Sequence, residues 1–154
     1  MSIGGDLQKS AGVDEVNIMG DFLDFYWCSL HPRLPEAMSM TETMKDEIGQ
    51  GIEKLEEIRS TFPTATINFI EGNHEYRLMR WLTKKAPELF DMITLPDLLE
   101  FKRLNIKYHP FGKNQLVSCL GTDYMLRHQP WSSSKHCAAT SAHAKHISLG
   151  FGHT

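Results

Sequence analysis

Two short runs hold the residue types of a reactive centre. "MGDFLDF", Met19 to Phe25, places Asp21 and Asp24 three positions apart, and "EGNHE", Glu71 to Glu75, sets Asn73, His74 and Glu75 side by side. Two later histidines, His128 in "MLRHQP" and His153 in "GFGHT", each follow a strand-like run. A carboxylate, an amide oxygen and two imidazoles suit a borderline divalent cation such as Mn, Fe or Zn, whereas a calcium site would be nearly all oxygen. A carboxylate such as Asp21 can also bridge two such ions. Taken singly, each residue has an ordinary reading: a lone histidine is commonly a satisfied core residue, and Gly-Asp after a strand is commonly a turn or a helix cap. Their repeated placement at strand ends points to a site.

The elements that must position these residues are legible in the apolar pattern. "EVNIM", Glu15 to Met19, and "ATINFI", Ala65 to Ile70, are β-leaning runs, and each stops at a glycine followed by a polar cluster. Between them Met44, Ile48, Ile52 and Leu55 recur at helical spacing, which predicts a helix from about Thr41 to Arg59, stopped by Pro63 and its neighbours. Strand, crossover helix and strand make a βαβ unit with parallel strands, so both polar clusters emerge on one edge of the sheet, where open α/β sheets bind ligands. A second helix is expected over Tyr76 to Lys85, then a Pro-punctuated helical stretch through "APELF" and "PDLLEF". From Ile106 the texture is strand-like: "IKYHPF", then a hairpin of "QLVSCLG" and "DYMLRHQ", a helix over Ser133 to Lys145, and a final strand "HISLGF".

The order Gly-Asp-x-x-Asp, Gly-Asn-His-Glu, an isolated strand-end His and Gly-His-x resembles the calcineurin-like metallophosphoesterase family, from about Met19 to the last residue. "EGNHEYRLMRWLTKKAPELFD" is similar to a phage and bacterial branch of it. The resemblance implies an α/β fold, a layered sandwich of mixed β-sheets flanked by helices, and hydrolysis of phosphomono- or diesters by a metal-activated hydroxide. It implies that Asp21 bridges two metals and that Asn73, His128 and His153 complete the second metal's ligands. His74 would protonate the leaving oxygen or help bind the phosphate, Asp24 would hold the tautomer of His74, and Glu75 would tie the loop down. Two cations clamp the phosphoryl group in this chemistry and lower the pKa of a bridging water.

The chain departs from the family at both ends. No Asp-x-His precedes Asp21, and Gly152-His153-Thr154 stops short of the second His of Gly-His-x-His, so the first metal keeps only Asp21 while the second has four ligands. The expectation is a single partial domain over residues 1–154, lacking the first strand and the C-terminal strands, with weak or absent phosphoesterase activity of its own. A natural single-metal or inactive relative is the rival explanation. A binding or scaffold protein that keeps the fold and performs no hydrolysis is the alternative from another functional class.

Bulk properties narrow the partners. A length of 154 residues, 41% apolar and 23% charged composition and a net charge of -3 describe one ordinary globular domain and argue for neither nucleic acid nor membrane surfaces. No apolar run approaches a membrane span and the N-terminus lacks a secretion pattern, so a cytoplasmic protein is expected. Cys28, Cys119 and Cys137 are odd in number and lack C-x-x-C spacing, which predicts reduced thiols. Arg77, Arg80 and Lys84 form a basic stripe after "GNHE"; it is either an ordinary solvated helix face or a guide for phosphate, with Arg77 and Arg80 as substrate contacts, or for a nucleic-acid backbone. Phe25, Tyr26 and Trp27 either wall a substrate pocket or pack in the core, and Phe25 stands where the protein-phosphatase branch has a phosphate-contacting arginine. His136, His143 and His146 share a helical face, most simply an ordinary one, since zinc sites usually add a nearby carboxylate or cysteine. Substrate, metal identity and oligomeric state have no readable code.

Overall fold

The structure, a computed structural model, describes residues 12–30, 43–119, 122–128 and 148–151. His153, the expected helix over Ser133 to Lys145, and His136, His143 and His146 lie outside the described residues.

Strand β1 (Glu15–Ile18) and strand β2 (Thr66–Ile70) pair in parallel, as the βαβ pattern requires, with Val16 opposite Ile67 and Ile18 opposite Phe69. Helix α1 (Met44–Thr61) connects them. It begins two or three residues later than its apolar spacing suggests because Thr43 closes a capping box: its hydroxyl accepts the Asp46 N–H while the Asp46 carboxylate accepts the Thr43 N–H. At the other end Arg59 donates to five backbone carbonyls, those of Leu104, Phe62, Pro63, Ala65 and Asn105, which staples the helix end to the start of β2 and to the approach to β3. Strand β3 (Ile106–His109) adds in parallel to the other side of β2, giving the order β1-β2-β3.

Because strand side chains alternate, the register sorts the two faces. Val16, Ile67 and Ile106 line up on one face, followed by Ile18, Phe69 and Tyr108. That face meets Leu55 of α1, Leu78 and Leu82 of helix α2 (Tyr76–Lys85), and Leu95 of the short helix α3 (Leu95–Leu98), with Phe101 tilted against Phe69 at 4.9 Å. The opposite face is polar: Asn68, 2% exposed, donates to Glu15 and Asn17 of β1 and lies 3.1 Å from the His109 ring of β3. A buried amide costs little when its hydrogen bonds are made within the fold.

A second sheet follows. Strands β4 (Gln115–Cys119) and β5 (Thr122–His128) form the expected antiparallel hairpin, and β6 (Ser148–Phe151) joins the other side of β5 in parallel. The architecture is mixed α/β, a three-stranded parallel sheet and a small second sheet, with helices flanking. No described helix is long and apolar enough to cross a membrane.

Candidate functional site

Glu75 assembles the loops that follow β1 and β2. Its carboxylate, fully buried, accepts the backbone N–H groups of Asp21 (3.0 Å), Phe22 (2.5 Å), Leu23 (2.8 Å) and Gly72 (2.9 Å). One carboxylate thus gathers donors from the loop after β1, 52 to 54 positions away, and from its own loop. Burial raises its carboxyl above the usual range, and the N–H groups of Leu23, Asp21 and Gly72 act in the opposite direction.

The loops approach so closely that two glycines meet. A Cβ on Gly72 would lie 2.3 Å from both the nitrogen and Oδ1 of Asp21, and one on Gly20 would lie 2.6 Å from the Gly72 Cα and 2.8 Å from His128 Nδ1. Gly20 also takes a left-handed backbone with φ of 82°, and Asp21 beside it has φ of 51°, uncommon for a residue with a side chain. The turn aims Asp21 at the neighbouring loop, where its Oδ1 accepts the His74 N–H at 3.1 Å.

Three of the four expected ligands converge. His128, the last residue of β5 and 5% exposed, places Nε2 2.8 Å from Asn73 Oδ1 and 3.4 Å from Asp21 Oδ1. Its Nδ1 lies 2.7 Å from the Met19 carbonyl oxygen. A carbonyl oxygen only accepts, so Nδ1 carries the hydrogen, and in the neutral ring Nε2 is a lone pair aimed at two oxygens. Where these lone pairs meet, either the Asn73 amide turns its NH2 group toward Nε2 or a cation sits between the N and O donors. A histidine whose second nitrogen donates to a backbone carbonyl is also the usual supporting arrangement for a metal ligand. The donor set therefore fits a borderline divalent ion. Among the described residues no three His, Cys, Asp or Glu side chains cluster as a metal site, and the set reaches three only through the Asn73 amide.

His74 stands beside this cluster with its Nε2 4.0 Å from Asp21 Oδ2 and its Nδ1 2.8 Å from Asp24 Oδ1. The same Asp24 oxygen receives Arg77 Nη1 at 2.6 Å, and Arg77 also donates to the Asp24 carbonyl at 2.8 Å. Arg77 thus holds Asp24 in place from the first turn of α2, while Arg80, one turn on, is exposed.

Several participants lack a signal in the sequence. Glu47 of α1 accepts the Asp24 and Phe25 N–H groups at 2.6 and 2.9 Å, supporting the Asp24 turn from outside the motif. Glu71, 2% exposed, accepts the Tyr108 hydroxyl at 2.6 Å and the Phe111 N–H at 2.8 Å; burial raises its carboxyl, and its Oε1 finds no donor among the described residues. Phe111 in turn stacks on Tyr76 at 4.9 Å and lies 6.4 Å from the His128 ring. The only hint was a glutamate directly ending an apolar strand. Of the aromatic trio after Asp24, Phe25 enters the core while Tyr26 and Trp27 line a cavity. Comparison of the chain with family models, with curated proteins and with solved structures yields no match.

Proposed function

We propose that the protein is a metal-dependent phosphoesterase of the calcineurin-like kind, acting on a phosphomono- or diester, with nucleic acid as a narrower substrate option. The observation that carries this reading is the approach of His128 Nε2 to the oxygens of Asn73 and Asp21, with the His74–Asp24 pair next to it. Asp21, Asn73 and His128 would hold the cation, with His153 as the fourth ligand by resemblance. A bound divalent ion of this type polarises a phosphoryl oxygen and lowers the pKa of an attached water.

The chain's own groups do the rest. Asp24 accepts the Nδ1 hydrogen of His74, which orients the ring so that Nε2 can deliver a proton to the leaving oxygen. Arg77 keeps Asp24 in register for that role. Glu75 holds the two loops at the separation the ligands need.

A second reading is metal binding or scaffolding without hydrolysis, for which the convergence of Asn73, Asp21 and His128 on one point would suffice. Calorimetric titration with Mn2+ and hydrolysis of bis(4-nitrophenyl) phosphate, each repeated on His74→Ala, separate the readings. Binding with turnover that His74→Ala removes supports the phosphoesterase; binding without turnover supports the scaffold; absence of binding overturns both.

A further inference from the structure

Asp24 has two sides. One oxygen serves His74 and Arg77; the residue also walls a cavity of about 310 Å³ built between the loop after β1 and the outer face of α1. Its lining includes Phe22, Tyr26 and Trp27 on the loop side and Glu47, Gln50 and Lys54 on the helix side. The volume falls in the range of small-molecule pockets, whose usual make-up is apolar and aromatic walls with a few placed polar groups.

We propose that this cavity receives the organic part of the substrate, and that the part it takes is a planar ring carrying N–H donors, as in a nucleobase or an aminated aryl group. The inference rests on the phosphoesterase reading, since it treats the cavity as a continuation of the His74 site across Asp24. Phe22, Tyr26 and Trp27 give the cavity aromatic walls, a lining against which a flat group can pack. Carboxylates only accept hydrogen bonds, so Asp24 and Glu47 select a ring that brings donors. Of the nearby cations, Arg77 is held by Asp24, and Lys54, also on the cavity wall, makes an exposed pair with Glu57 at 3.2 Å. An anionic ring would meet two carboxylates, Asp24 and Glu47, against the one lysine among those walls.

The test uses the full chain without added metal, so that ring binding is read apart from hydrolysis. Adenosine is titrated as the donor-bearing ring and benzoate as the anionic one, followed by tryptophan fluorescence and calorimetry. Adenosine is expected to bind at least about tenfold tighter than benzoate, which is a difference of about 1.4 kcal/mol. Trp27→Ala removes a stacking face and is expected to weaken adenosine by about tenfold or more. Gln50→Trp, a substitution at an exposed helix position, fills the cavity and should abolish adenosine binding while the thermal midpoint holds, which keeps the test sound if Trp27→Ala fails to fold. Equal affinity for the two probes, no adenosine binding, or binding indifferent to Gln50→Trp overturns the proposal. Turnover of bis(4-nitrophenyl) phosphate without adenosine binding sinks the cavity assignment alone. Adenosine binding with no turnover of any ester leaves a ring site standing and sinks its role as a substrate pocket together with the hydrolytic reading.

Discussion

His128 Nδ1 lies 2.7 Å from the carbonyl oxygen of Met19, a residue 109 positions earlier in the chain. This contact joins the second sheet to the end of β1 and dictates which nitrogen of His128 faces Asn73 and Asp21. If that nitrogen is a metal donor, His128→Ala should lower Mn2+ or Zn2+ affinity by at least about tenfold, because even supporting residues at such sites are worth about 10- to 100-fold. Calorimetry on folded variant protein checks this, and unchanged affinity would remove His128 from the ligand set.

Asp24 touches His74 and Arg77 but none of the three converging donors. Asp24→Ala should therefore leave metal affinity nearly unchanged and reduce turnover, by an amount within the roughly 100- to 10,000-fold ascribed to positioned proton transfer. A parallel loss of metal binding would show that Asp24 acts through the fold of the loop instead.

Gly72→Ala places a methyl 2.3 Å from Asp21 and 2.7 Å from Glu75 Oε2. Neither is the far end of a free side chain, so the loops must separate, at a cost of about 3 kcal/mol or more. Gly49, on α1, has nothing within 4 Å of its added Cβ, and Gly49→Ala should stabilise by up to about 1 kcal/mol through helix propensity alone. Urea unfolding of the pair isolates the steric term; similar midpoints would contradict the close loop contact.

Glu75→Gln replaces a pure acceptor by a group that is half donor. Four backbone N–H groups in a buried place then share one acceptor oxygen and face an amide N–H2. The expected loss is about 3 to 5 kcal/mol of stability, the scale for breaking a buried charged hydrogen-bond set. A thermal midpoint within a degree or two of the parent would show that Glu75 is not the fastener.

Burial, with the nearby Glu47 carboxylate adding to it, pushes the Cys28 thiol up from 9.0 to about 11. A thiol with a raised folded pKa keeps its proton in the native state after the unfolded chain has released its own. Above pH 9 the unfolded state therefore binds fewer protons, and stability falls as pH rises through the interval from 9.0 to about 11. Denaturant midpoints at pH 8 and pH 10.5 should differ in the parent and differ less in Cys28→Ala. Cys28 should also resist iodoacetamide at pH 8 until the protein is unfolded.

Much of the frame was legible because it depends on local pattern. The helix over Tyr76 to Lys85 has its predicted ends, β1 and β2 lie within a residue of the runs that announced them, and β4 and β5 pair antiparallel as expected. Parallel pairing of β1 with β2 followed from the crossover helix between them. Where the pattern gave the wrong end or left a choice open, a neighbour decided: α1 starts at Met44 because Asp46 completes a cap with Thr43, and of the trio that could wall a pocket or pack in the core, Phe25 enters the core while its two successors line the cavity.

The sequence by itself determined the chemical types at the strand ends and the edge of the sheet on which Asp21 and Asn73 emerge, since both follow from side-chain identity and backbone period. Only the tertiary structure decided that His128 arrives from a different sheet to face them, that Arg77 is spent on Asp24, and that Glu47 and Glu71 support the site from outside any motif. The physical reason is that hydrogen-bond donors and acceptors find partners by distance in space. A buried carboxylate such as Glu75 reads as one more charged residue until the N–H groups that surround it have been brought together.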